Sequence, residues 1–125
     1  MNLVDSSGWL EYFADGRNAN AFAAPIEHAE GLVVSTVNCY EVYKRIAQQR
    51  DEGAAAEAVA AMQRATVLEV TLEIALAAAA IALELRLAMA DSVILATARA
   101  CGATLWTQDA DFARLPGVRY FPGRG

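Results

Sequence analysis

Leu32-Val33-Val34-Ser35-Thr36-Val37, bounded by Gly31 and Asn38, decides the fold class of this chain. A run rich in β-branched side chains, closed at each end by a turn-forming residue, reads as a buried strand. Asn38 then reads as the cap of a helix running to about Arg50, with Val42 and Ile46 turned toward the core. The unit is therefore strand followed by helix, and it recurs in both directions along the chain.

Toward the N-terminus, Met1 to Val4 is a short apolar strand. It leads through Asp5-Ser6-Ser7, all good N-cap types, into a helix carrying Trp9, Tyr12 and Phe13 at helical spacing. Asp15-Gly16-Arg17-Asn18 breaks the chain, and Ala19 to Ala29 reads as a second short helix, limited by Pro25.

Toward the C-terminus, the alanine-rich Gly53 to Arg64 predicts a helix, Thr66 to Thr71 a strand, and Leu72 to Leu87 a long helix. Asp91 opens another helix, Ser92 to Cys101, stopped by Gly102. Ala103 to Thr107 follows as a strand, Gln108 to Phe112 as a brief helix, and Val118 to Phe121 as a last strand after the Pro116-Gly117 turn. Gly123-Arg124-Gly125 reads as a loose tail. Alternation of this kind, without repeats or linkers, implies one domain over residues 1–125: a three-layer α/β/α domain with a mostly parallel central sheet.

Composition bounds the function. With 56% hydrophobic and 20% charged residues the chain is expected to fill a globular core, which excludes disorder. Its net charge of −5 lacks the basic footprint of a protein that holds nucleic acid by charge alone. Lys44 is the only lysine; the other cations are arginines, whose planar fork suits phosphate. Cys39 and Cys101 have no metal-type spacing to each other or to His28, and read as buried reduced thiols. The N-terminus lacks the pattern of a secretory signal, and the longest apolar run, Ile74 to Leu83, is too short to span a bilayer, so a cytoplasmic protein is expected.

Four acids stand out: Asp5, Glu41, Asp91 and Asp109. Each lies at or just inside the start of a predicted helix. Capping explains any of them singly, because Asp is a favoured N-cap and acids near a helix start are stabilised by its dipole. Glu41, three residues after Asn38, has near capping-box spacing. As a set they have a different meaning. Asp5 and Asp109 follow strands directly and Glu41 lies one helical turn beyond another, so in a parallel sheet they converge on the crevice outside the strands' carboxyl ends. Asp91 joins them if its helix packs against that edge. Converging carboxylates with no cation nearby must either raise their pKa values or bind a hard cation, and Mg²⁺ or Mn²⁺ suits an all-oxygen set. One or two such ions would activate water for in-line attack on a phosphodiester, the chemistry of a nuclease.

The residues that carry this chemistry also carry a resemblance. Val4-Asp5-Ser6-Ser7 before an aromatic-rich helix, Glu41 in a helix continuing to Lys44-Arg45, Ala90-Asp91-Ser92 before Ile94 and Ala98, and Leu105-Trp106-Thr107-Gln108-Asp109-Ala110-Asp111-Phe112 together resemble PIN domains. The likeness is greatest to the small VapC-type toxins of bacterial toxin–antitoxin pairs. It implies a PIN-like fold and a metal-dependent endoribonuclease, a homodimer restrained by a cognate antitoxin, with Asp5, Glu41, Asp91 and Asp109 holding Mg²⁺ or Mn²⁺. Asp111 stands in reserve for the fourth position. Ser6 and Thr107 match small hydroxyl positions that orient a carboxylate or a water. The proline often found before the third acid is replaced here by Leu87-Ala88-Met89-Ala90.

Two rivals carry different chemistry. A phospho-accepting receiver domain is also a small α/β fold with acids at strand ends, but needs a lysine beside its phosphoaspartate, and Lys44 sits inside a helix. A catalytically silent PIN-like module would keep the fold and bind a partner only. Among the remaining residues, Trp9, Tyr12 and Phe13 read as core or interface before base-stacking platforms, Tyr40 and Tyr43 as half-buried, and His28 as exposed. Arg45, Arg86, Arg99 and Arg114 are the candidates to steer phosphates. The run Ala77 to Ala80 permits close helix approach, within the chain or between two copies.

Overall fold

Residues 1–123 are described by a computed structural model. Five strands form one sheet: β1 (Asn2–Val4), β2 (Leu32–Ser35), β3 (Thr66–Leu68), β4 (Thr104–Thr107) and β5 (Val118–Tyr120). Their order across the sheet is β3-β2-β1-β4-β5, and each of the four pairings is parallel. Six helices connect them: α1 (Ser6–Phe13), α2 (Ala19–Ile26), α3 (Thr36–Gln49), α4 (Glu52–Met62), α5 (Leu72–Leu85) and α6 (Met89–Ala100). Short 3-10 turns cover Ala29–Gly31 and Ala110–Phe112.

The pleat of the sheet divides the core in two. Val4, Leu32, Val34 and Trp106 meet α1 to α4 through Trp9, Phe22, Val42, Ile46 and Met62. Leu3, Val33 and Leu105 face the other way, onto Ala78 and Ile81 of α5 and the apolar face of α6 from Val93 to Ala98. These are the three layers expected. From β1 the chain adds β2 and then β3 on one side, and returns to add β4 and β5 on the other. The switch point of the sheet therefore lies between β1 and β4, where a parallel α/β fold opens its ligand crevice.

Local chemistry moved several predicted boundaries. β2 ends at Ser35 rather than Val37, because Ser35 caps α3: its Oγ accepts from the Val37 N–H at 3.1 Å, and its own N–H donates to Asn38 Oδ1 at 3.0 Å. Asn38 is thus the far member of a capping box, not the cap, and Thr36 and Val37 are helical despite their β-branched side chains. β3 stops at Leu68; Thr71 instead caps α5, its hydroxyl accepting from the Ile74 N–H at 3.2 Å. α5 ends at Leu85, where Arg86 takes the left-handed conformation with φ of 56°. α2 ends at Ile26, one residue beyond Pro25. The predicted tail falls largely on residues 124 and 125, outside the described residues.

Cys39 and Cys101 are free thiols, half-buried rather than fully buried. Trp9 is core, with Phe13 stacked on it at 5.7 Å. Tyr40 and Tyr43 are exposed instead of half-buried, and Lys44 lies over the Tyr40 ring at 5.7 Å. His28 is exposed, with Nδ1 2.8 Å from the Ala24 carbonyl. Among the described residues no helix is long and apolar enough to cross a membrane.

Candidate metal centre

Asp5 follows β1 and Asp109 follows β4, so the two acids flank the switch point. Asp5 is almost wholly buried, and its N–H donates to the Trp106 carbonyl at 2.9 Å, which ties the end of β1 to β4. Although Asp5 sits at the N-cap position of α1, its side chain makes no capping bond. Oδ2 accepts instead from Ser7 Oγ and from Thr107 Oγ1, each at 2.9 Å. These hydroxyls are themselves held, because Ser7 Oγ accepts from the Gln108 N–H at 3.0 Å and Thr107 Oγ1 from the Asp109 N–H at 2.8 Å. Both hydroxyl protons in this set are thereby directed onto one oxygen of Asp5.

Glu41 makes no capping bond either, since Ser35 and Asn38 already close the box. It lies deeper in α3 than its sequence position suggested, and its Oε1 accepts from Ser6 Oγ at 2.7 Å. Asp91 is in the first turn of α6, three positions after the N-cap Ala88, with no capping role. Asp109 alone acts as a cap, accepting the Asp111 N–H on Oδ1 at 2.9 Å. Capping therefore accounts for one of the four acids, not for the set.

Carboxylate oxygens of Asp91, Asp109 and Asp111 lie within 4.8 Å of one another. Burial first, and then the charges of Asp109, Asp5, Glu41 and Asp111, together push the Asp91 carboxyl up to about 7. Asp5 is likewise raised, first by burial and further by Glu41, against the lowering by its hydrogen bonds from Ser7 and Thr107. Five acids thus share one electrostatic neighbourhood. Asp109 and Asp111 both reach it, so the choice between them posed by the sequence becomes a pair, with Asp111 the more exposed.

The donor set tests the fit of a metal. Among the influences on Asp91 no cation offsets the four neighbouring acids. Carboxylates crowded in this way, all oxygen and partly open to solvent, match the needs of Mg²⁺ or Mn²⁺ and not those of a soft thiophilic ion. Asp91, Asp109 and Asp111 bring oxygens close enough together to hold it, while Asp5 and Glu41 lie in the same field of charge.

Beside the acids runs a groove of about 690 Å³ between α1, α3 and α4. Ser7 and Gln108 belong to its wall, Leu10, Phe13 and Ile46 give it apolar surface, and Arg45 and Arg50 are its cations. Arg86, Arg99 and Arg114 are exposed and do not line it. The sequence offered Ser7 and Asn38 only as helix-capping types and Asp111 only in reserve, and the bonds of Ser7 and Asn38 within the site were not read from it. Ser7 stands two residues after Asp5, a spacing at which a hydroxyl reaches back to a carboxylate, and Ser35 with Asn38 has capping-box spacing.

The chain belongs to the PIN domain family, whose model matches residues 3–118. Among solved structures it is similar to a toxin–antitoxin complex from Klebsiella pneumoniae, with 25% identity and a TM-score of 0.81 over 98% of this chain and 99% of the other. It is also similar to VapC20 from Mycobacterium tuberculosis, described as a toxin that cleaves the sarcin-ricin loop, with 18% identity and a TM-score of 0.76 over 93% of this chain and 95% of that one. A DNA-bound VapBC from Salmonella typhimurium matches with 17% identity and a TM-score of 0.74 over 98% of each chain. No curated protein sequence matches the chain.

Proposed function

We propose that this chain is a divalent-metal-dependent endoribonuclease, the toxin of a VapBC-type toxin–antitoxin pair, acting as one PIN unit in the cytoplasm. The observation that carries the reading is the acidic cluster at the switch point, where Asp91, Asp109 and Asp111 approach within 4.8 Å and Asp91 is pushed up to about 7. That much uncompensated charge calls for Mg²⁺ or Mn²⁺, with Asp5, Glu41, Asp91 and Asp109 as principal ligands and Asp111 beside them. When bound, the cation supplies a water acidic enough to attack phosphorus and neutralises charge on the phosphodiester.

The chain's own residues prepare that site. Ser7 and Thr107 fix Asp5, Ser6 fixes Glu41, and the capped turn after β4 presents Asp109 and Asp111 together. Preorganised carboxylates do not reorganise as the reaction proceeds, which is where electrostatic catalysis gains most. Arg45 and Arg50 bring planar guanidinium groups suited to phosphate to a groove whose wall also carries Glu11 and Glu57.

Partners follow from the surfaces. The groove's apolar wall suits a peptide segment of a cognate antitoxin laid beside the acids, a reading that the likeness to a toxin–antitoxin complex supports. On the opposite layer α5 exposes Leu72, Leu76 and Leu83, at 74%, 63% and 85% of their surface, with Ala79 and Ala80 between them. A stripe of this kind on a water-facing helix supports a homodimer in which a second copy covers it.

RNA cleavage by the purified chain is expected to stop with EDTA, return with Mg²⁺ or Mn²⁺, and vanish in Asp5→Asn and Asp91→Asn variants that keep their fold. Equal cleavage by wild type and both variants would remove the site assignment.

A further inference from the structure

The hydrogen bonds behind Glu41 run in one direction. The Ser35 backbone N–H donates to Asn38 Oδ1 at 3.0 Å. A peptide N–H can only donate, so this bond fixes which end of the Asn38 amide faces it and turns Nδ2 toward Ser6. Nδ2 donates to Ser6 Oγ at 3.0 Å. An amide NH₂ accepts nothing, so Ser6 must be the acceptor there, and its single proton is left for Glu41 Oε1 at 2.7 Å. Ser35 and Asn38 are 0% exposed and Ser6 is 7% exposed, so bulk water does not compete for the two links behind Ser6, and only the Glu41 end is half-buried.

A capping box needs only the carbonyl end of the Asn38 side chain. The other end is spent on a residue thirty-two positions away in α1, itself bonded to a carboxylate of the acidic cluster. We propose that Asn38 is a positioning residue that acts through Ser6 to hold Glu41 in place, and that it thereby sets the affinity of the acidic cluster for a divalent cation. The proposal rests on the metal-dependent reading above. Without Nδ2, the Ser6 hydroxyl rotor is free to turn from Glu41, and the carboxylate recovers rotamers that an ion must then freeze. Groups that orient a metal ligand from behind typically change metal affinity by about 10- to 100-fold when removed.

The test is Mn²⁺ binding to the full chain, followed by the electron paramagnetic resonance of free Mn²⁺ at fixed pH. Wild type, Asn38→Ala, Ser6→Ala and the double variant are compared. Each single variant is expected to bind about 10-fold more weakly, with the double variant close to either single one, because both substitutions break the same path. Wild-type affinity in a folded Asn38→Ala, or losses that multiply in the double variant, would overturn the proposal. A wild-type chain that binds no Mn²⁺ would instead remove the metal reading on which it rests. Should Asn38→Ala fail to fold, nuclear magnetic resonance of the ¹⁵N-labelled wild type and Ser6→Ala decides. The Asn38 side-chain NH₂ signals are expected to shift on Mg²⁺ addition in the wild type and to stay in place in Ser6→Ala. Signals unmoved in the wild type would contradict the coupling.

Discussion

Replacing Asp91 with Asn is expected to make the metal-free protein more stable, and only at neutral to alkaline pH. Asp91 has its carboxyl raised from 3.8 to about 7, by burial first and then by four neighbouring acids. The folded chain therefore holds this proton more tightly than the unfolded chain does. Between pH of about 4 and 7 the folded state binds more protons at this group, so its contribution to stability falls as pH rises. The penalty is absent well below the unfolded value and complete above about 7. At 1.36 kcal/mol per pKa unit the full shift would correspond to about 4 kcal/mol. Asp91 is only half-buried, so solvent screening reduces this to roughly 1–2 kcal/mol.

For a chain of this size that is a gain of roughly 4–8 °C in Tm. Thermal unfolding in EDTA at pH 8 and pH 4.5 measures it. Asp91→Asn is expected to gain at pH 8 and to lose most of that gain at pH 4.5. Saturating Mg²⁺ reverses the order, because wild type gains about 2.7 kcal/mol at a hundredfold excess over Kd and the variant gains less. No gain at pH 8, or an equal gain at both pH values, would refute the electrostatic reasoning.

Thr107→Val removes one of the two hydroxyl bonds to Asp5 Oδ2 and the acceptor of the Asp109 N–H. Isothermal titration is expected to give Mn²⁺ binding about 10-fold weaker, with little change in secondary structure by circular dichroism. Gly8→Ala places a methyl 2.6 Å from Val4 Cγ1 and 2.7 Å from Phe22 Cδ1, both in residues fully buried in the core. It is expected to cost about 1–3 kcal/mol, read as a lower urea midpoint at unchanged m. Leu76→Glu with Leu83→Glu puts charge on the exposed stripe of α5 and is expected to convert a wild-type dimer to a monomer in light scattering; a monomeric wild type at tens of micromolar would contradict the dimer.

The layers and the order of elements were legible because hydrophobic runs and turn residues alternate plainly from Met1 to Phe121. The order of strands across the sheet was not, since no local pattern states which strand pairs with which. Boundaries failed where two rules competed. Thr36 and Val37 continue a β-branched run, yet the Ser35–Asn38 capping box draws them into α3. At the site, Asp5 and Asp109 were legible as acids directly after strands. Glu41 and Asp91 were legible as acids near helix starts, but their approach to the other two depends on how α3 and α6 pack. Asp111 was held only in reserve because it stands four residues after Thr107 where Asp109 stands two, a separation that the 3-10 turn closes.

The central claim is that the acids at the carboxyl end of β1 and β4, with Glu41 and Asp91, form one cation site. Anomalous diffraction from crystals soaked in Mn²⁺ tests it most directly. A manganese peak is expected among Asp5, Glu41, Asp91, Asp109 and Asp111, absent from crystals of Asp91→Asn. A peak elsewhere on the chain, or none at a concentration that supports RNA cleavage, would contradict the account.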